Sequence, residues 1–118
     1  MIMIRRKDEF AKEERTAMRG GNGTVKMEHI WKKGDGLNSN VRMYSKLILE
    51  PGTSIGYHVH ENEEEIFFVV SGRAEVDDNG VKSVLETGDS IVTRGGEGHS
   101  IAALGDETLV VLAMIPCY

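Results

Sequence analysis

The sequence predicts an all-β protein, a sandwich or barrel of about eight or nine short strands, and three observations carry that reading. Segments rich in β-branched and aromatic residues recur at short intervals beyond residue 24. Turn formers, among them Pro51-Gly52 and Asp78-Asn79-Gly80, separate them. No segment holds a helical period over about twelve residues.

Taken in order, Asp8 to Met18 is charged, with only Phe10, Ala11 and Met18 as an apolar stripe. It predicts a short helix or an irregular arm. Gly20, Gly21 and Gly23 follow; the stretch follows no strand and opens no helix, so it reads as a flexible turn, not a phosphate loop. Residues 1–24 are thus an N-terminal arm and residues 25–118 the barrel. Val25 to Trp31 and Val41 to Leu49 are strand formers. Glu65 to Val70 is Glu-Ile-Phe-Phe-Val-Val, a strong one. Asn79-Gly80 tolerates the positive φ of a tight hairpin, which makes Val81 to Leu85 its return strand. Ser90 to Thr93, His99 to Leu104 and Thr108 to Ile115 complete the set.

Length and composition bound the function. A chain of 118 residues fits one domain and can bury a sizeable core without disulfides. The formal net charge of −5 argues against nucleic acid and anionic membranes as partners; the one basic cluster, Arg5-Arg6-Lys7, is followed at once by acidic residues. Cys117 has no cysteine to pair with, which suits a reducing compartment. The opening Met-Ile-Met-Ile is too short for a signal-peptide core. Leu109 to Pro116 is far below the roughly 20 apolar residues of a membrane span, so the cytoplasm is expected.

Alternation along Glu65 to Val70 places Glu65, Phe67 and Val69 on one face and Ile66, Phe68 and Val70 on the other. Both faces are apolar, yet a barrel buries only its inner face. The N-terminal segment or a second subunit must cover the outer one, and a homodimer is the expectation.

The segment that carries chemistry runs from Gly52 to Glu65. His58 and His60 are two apart, which on a strand puts both imidazoles on one face, about 6.6 to 7 Å apart along the chain. Glu65 lies on the Phe67–Val69 face, where an unpaired carboxylate would be costly and a cation would remove the cost. His99 follows a glycine-bearing turn on another strand. Glu64 is the alternative to Glu65, but it shares a face with Ile66. His29 reads as structural or solvated. Arg19, Arg42, Arg94, Tyr44, Tyr57 and Ser45 are further polar candidates near a pocket. Glu63 to Glu65 do not make a glycosidase pair, because neighbours on a strand face opposite sides.

These residues resemble the two motifs of the cupin superfamily, double-stranded β-helix (jelly-roll) barrels. The first, G-x5-H-x-H-x(3,4)-E-x6-G, is matched by Gly52, His58, His60, Glu65 and Gly72. The second, G-x5-P-x-G-x2-H-x3-N, is matched by Gly88, Gly96 and His99, with Arg94 in place of proline and Ala103 in place of asparagine. Neither departure falls on a ligand position, so both bear on turn geometry. The resemblance implies one divalent metal ion held by His58, His60, Glu65 and His99. Three imidazoles and a carboxylate suit Mn, Fe, Co, Ni or Zn and leave positions open for a small-molecule ligand. It further implies a metal-dependent enzyme, a dioxygenase, decarboxylase or isomerase, acting on a small organic acid or sugar-like substrate. The alternatives are a non-catalytic binding or sensing module and a structural metal site. One fold hosts many chemistries.

Overall fold

A computed structural model describes residues 3–118. Its strands, in chain order, are β1 (Ala11–Thr16), β2 (Thr24–Lys33), β3 (Gly36–Leu37), β4 (Val41–Leu49), β5 (Ser54–Val59), β6 (Glu65–Ser71), β7 (Arg73–Asp78), β8 (Val81–Leu85), β9 (Ser90–Thr93), β10 (Gly98–Leu104) and β11 (Leu109–Pro116). They form two facing sheets of a jelly-roll barrel. The larger has the order β1-β2-β4-β11-β6-β9, with β3 pairing β2; the smaller is β5-β10-β7-β8. Among the described residues every strand pair is antiparallel except β2–β3.

Period-2 patterning decides which side chains enter the barrel. In β11, Leu109, Val111, Ala113 and Ile115 are buried while the residues between them are half-exposed. In β6, Glu65, Phe67 and Val69 point inward, as the alternation predicts. Met27, Leu47, Leu49, Phe67 and Ile101 fill the space between the sheets. The hairpin at Asp78–Val81 closes through Asn79 and Gly80, both at positive φ. At Gly72 the chain leaves the large sheet for the small one with φ +82, a conformation glycine adopts without penalty.

Two expectations change. The segment after Asp8 is not a helix or an irregular arm: residues 11–16 form β1, an antiparallel edge strand on β2 from Ala11↔His29 to Thr16↔Thr24, flanked by 3-10 turns at Lys7–Glu9 and Met18–Gly20. Its apolar residues are too few to supply a helical face, whereas a strand needs only the free edge of β2 for its backbone. Nor is the glycine stretch a loose turn. It is bonded to β5 through Ser54 N–H to Asn22 O at 2.9 Å and Asn22 N–H to Ser54 Oγ at 2.9 Å.

Candidate metal centre

Three strands deliver four side chains to one point. His58 and the neighbouring His60 come from β5 and its end, Glu65 opens β6, and His99 lies on β10 beside His58 in the ladder. Nε2 of His60 is 3.1 Å from Nε2 of His58 and 3.1 Å from Nε2 of His99. Oε1 of Glu65 is 3.0 Å from Nε2 of both His60 and His99. His60, Glu65 and His99 are buried and His58 is half-buried. The Phe67 ring stacks on His99 with 5.1 Å between centroids and 7° between planes, which fixes the imidazole from the core side.

The hydrogen bonds on the far side of each ring determine what the near side offers. His58 Nδ1–H donates to Gly56 O at 2.8 Å. His60 Nδ1–H donates to Glu63 Oε2 at 2.6 Å. Thr93 donates its hydroxyl to Asp78 Oδ1, so its oxygen accepts from His99 Nδ1–H at 2.9 Å. Each ring therefore carries its proton on Nδ1 and turns an Nε2 lone pair towards the other two. Lone pairs held this close repel unless a cation or a proton lies among them. Ligand atoms at about 2.1 Å from one transition ion and at right angles to each other lie about 3.0 Å apart. The observed spacings match, so the four residues could hold a metal ion.

Charge is arranged around the cluster as well. Burial pushes the Glu65 carboxyl up, but the imidazoles of His60 and His99, which donate to it from Nε2 when a second proton makes them cationic, outweigh burial and hold the group below the usual range. Glu65 in turn raises His60, against desolvation. Burial lowers His58, helped by the neighbouring imidazoles. Glu63 is held at about 2, chiefly by the Arg42 guanidinium, which donates from Nε and from an Nη at 2.8 Å each. Arg42–Glu63–His60 is thus a chain of charge-assisted contacts ending on an imidazole of the cluster.

Beside the cluster lies a small cavity of about 60 Å³. Met27, Leu47, Ile55 and Phe67 line its apolar part; Arg15, Arg19 and Arg42 line its polar part. Of the residues singled out from sequence, Glu65 joins the cluster and Glu64 does not. Arg19 and Arg42 reach the cavity. Arg94 is exposed and pairs with Glu97. Tyr57 is half-exposed against Gly98. Tyr44 is not among the cavity residues, and Ser45 is buried against His29. Sequence reasoning missed Glu63, Thr93 and Arg15. For Glu63 a signal existed: it stands three residues after His60, within reach of that ring once the chain turns at Asn62, which has φ +59.

A jelly-roll barrel with three histidines and a carboxylate converging beside a cavity defines a class, the β-barrels built to present a metal-binding cluster. The chain belongs to the cupin family: the family described as the cupin domain matches residues 45–115. An oxalate-binding protein of Thermotoga maritima is 37% identical over 113 residues, covering 96% of this chain and 93% of that protein. A crystal structure described as a predicted oxalate decarboxylase from Thermotoga maritima superposes with a TM-score of 0.92 at 37% identity, covering 98% of this chain and all of that one. KdgF from Halomonas sp. shares the fold alone, with a TM-score of 0.68 at 23% identity over 90% of this chain and 87% of that one.

Proposed function

We propose that this cupin holds one divalent transition ion on His58, His60, Glu65 and His99 and binds a small carboxylic acid there, with oxalate as the first candidate. The observation that carries the reading is the set of three engaged Nδ1 protons, which leaves three Nε2 lone pairs and Glu65 as a preformed donor set. The ion would supply Lewis acidity and open coordination positions. The chain supplies the rest: Phe67 and the Glu63, Thr93 and Gly56 acceptors hold the rings in place, and the apolar lining limits water. The name of the Thermotoga maritima relative supports oxalate as the ligand class.

Binding is favoured over turnover by the lining. Among the described residues that face the cavity, the ionisable groups are three arginines and three of the candidate ligands, His58, His60 and Glu65. None is a free acid or base that could move a proton to or from a reacting carbon. The second reading, a metal-dependent enzyme such as a decarboxylase, is favoured by the description of the solved relative. Calorimetry with oxalate, on protein loaded with Mn²⁺ and on chelator-treated protein, tests the first reading. One-to-one binding should appear only with metal. Equal binding without metal would overturn it. Formate and carbon dioxide released from hydrogen oxalate would establish the second.

We propose separately that the protein is a cytoplasmic homodimer, and the outer face of the large sheet supports the dimer. Phe68, Val70 and Val92 lie exposed on the outer face of the large sheet. β1 cannot cover them, since β2, β4 and β11 lie between it and β6. Light scattering should report twice the chain mass, and Phe68→Glu should give a monomer; a wild-type monomer at micromolar concentration would overturn the dimer.

A further inference from the structure

We propose that Arg19 is the anion-binding residue of the cavity, which takes a dianionic two-carboxylate acid with one end at the metal and the other on this guanidinium. The proposal rests on the metal reading above and adds to it the residue that selects the ligand.

Three arginines line the cavity, and their partners separate them. Arg42 is committed to Glu63 through Nε and an Nη. Arg15 donates from Nε to Glu13 at 2.7 Å. Arg19 has no carboxylate or other side-chain partner among the described residues, so its planar fork of donors is available to a ligand carboxylate. Charge supports the same conclusion. The three guanidinium groups are balanced by Glu13, Glu63 and Glu65, and a divalent ion then leaves two positive charges uncompensated. A dianion restores neutrality; a monocarboxylate does not. Size agrees as well: a cavity of about 60 Å³ has room for roughly four waters, hence for a ligand of a handful of heavy atoms.

The backbone explains how an exposed turn aims a side chain reproducibly. Arg19 has φ +54 and ψ +29, and Ala17 has φ +53, a left-handed conformation that side-chain-bearing residues seldom adopt. The turn is held against β5 by close backbone contact. A Cβ on Gly56 would lie 2.0 Å from Arg19 O, and one on Gly21 would lie 2.1 Å from Ser54 O. Gly56 is also the residue whose carbonyl accepts from His58 Nδ1. One glycine thus sets the imidazole of the cluster and seats the turn that carries the arginine. The two ends of the ligand site are registered on the same strand.

The test uses Mn²⁺-loaded protein, oxalate and formate as probes, and three variants. Arg19→Asn removes the charge with a residue that tolerates the left-handed backbone, so the turn survives. Metal content should stay at the wild-type level, oxalate affinity should fall at least tenfold, and formate affinity should change less than threefold. Arg19→Lys should recover part of the oxalate affinity. Arg15→Gln should cost less than Arg19→Asn. Undiminished oxalate binding by metal-replete Arg19→Asn would overturn the role of Arg19 while leaving the metal reading intact. An equal loss for formate and oxalate would also overturn it, because the effect would then not depend on the second carboxylate. Failure of metal-loaded wild type to bind oxalate would overturn both.

Discussion

The described chain has two histidine sites on the inner side of its barrel, and they differ in one respect that decides their chemistry. In the cluster of His58, His60 and His99, each Nδ1 is engaged by an oxygen of the chain and each Nε2 is turned to a common point. At His29 both ring nitrogens are engaged: Nδ1 meets Ser45 Oγ at 2.6 Å and Nε2 meets Glu13 Oε1 at 2.8 Å. The cluster has lone pairs left over and His29 has none. A histidine becomes a candidate ligand by what its second nitrogen lacks, not by burial: His58 is only half-buried, as His29 is.

The largest expected effect breaks the comparison directly. His60→Ala and His99→Ala should each lower metal content of the purified protein from about one ion per chain to near zero. His29→Ala should leave it unchanged. Elemental analysis reads all three, and full occupancy in both cluster variants would dissolve the distinction.

A second, smaller effect concerns the group behind His60. Glu63→Gln keeps the shape but loses the charge that orients and polarises the ring. Loss of such a partner typically lowers metal affinity 10- to 100-fold, about 1.4 to 2.7 kcal/mol. Competition with a chromogenic chelator would measure it. An unchanged affinity would mean that the Arg42–Glu63 pair serves the fold alone.

The pair also predicts a pH window. The folded Glu63 carboxyl sits at about 2, against an ordinary value of 4.5, and Arg42 is the main cause. A carboxyl depressed by folding stabilises the folded state fully above its unfolded pKa, and that contribution is lost as pH falls towards the folded value. The stability difference between wild type and Glu63→Gln, measured by urea unfolding with chelator present, should therefore be constant above about pH 5. It should shrink between pH 4.5 and about 2. A difference that grows on acidification would contradict the ionised state of Glu63.

How much of this was legible in the sequence follows the range of the signal. His58, His60 and Glu65 announce themselves because strand periodicity is local: two residues apart means one face, and Glu65 shares its face with Phe67. The Asn79-Gly80 hairpin is legible for the same reason. Thr93 and Arg15 were not, because their roles depend on which strands pair and in what register, β9 with β6 and β1 with β2, and side-chain alternation within a strand does not encode that. The arm misled because a charged edge strand and a charged short helix have the same composition. Only the free edge of β2 distinguishes them. Gly21 and Gly56 look like ordinary turn or strand glycines until the approach of Met18–Gly20 to β5 shows why a Cβ would not fit.

The smallest effect sharpens the comparison from the other side. Glu13, His29 and Ser45 lie in line across β1, β2 and β4, an order of groups that also occurs in serine hydrolases. Ser45, however, is fully buried, so its oxygen cannot meet a substrate. Its hydroxyl instead needs a partner inside the barrel, and His29 provides one while tying the edge strand to the sheet. Removing one partner of a buried hydroxyl costs about 1 to 3 kcal/mol, whereas removing both costs less than the sum. His29→Leu should accordingly destabilise chelator-treated protein by about 1 kcal/mol or slightly more. His29→Leu with Ser45→Ala should cost less than the two single changes added together. Metal content should be at the wild-type level throughout, and a fluorophosphonate probe should leave Ser45 unlabelled. Labelling of Ser45 would make the second site reactive, and the contrast between a cluster with free lone pairs and a histidine with none would no longer separate chemistry from architecture.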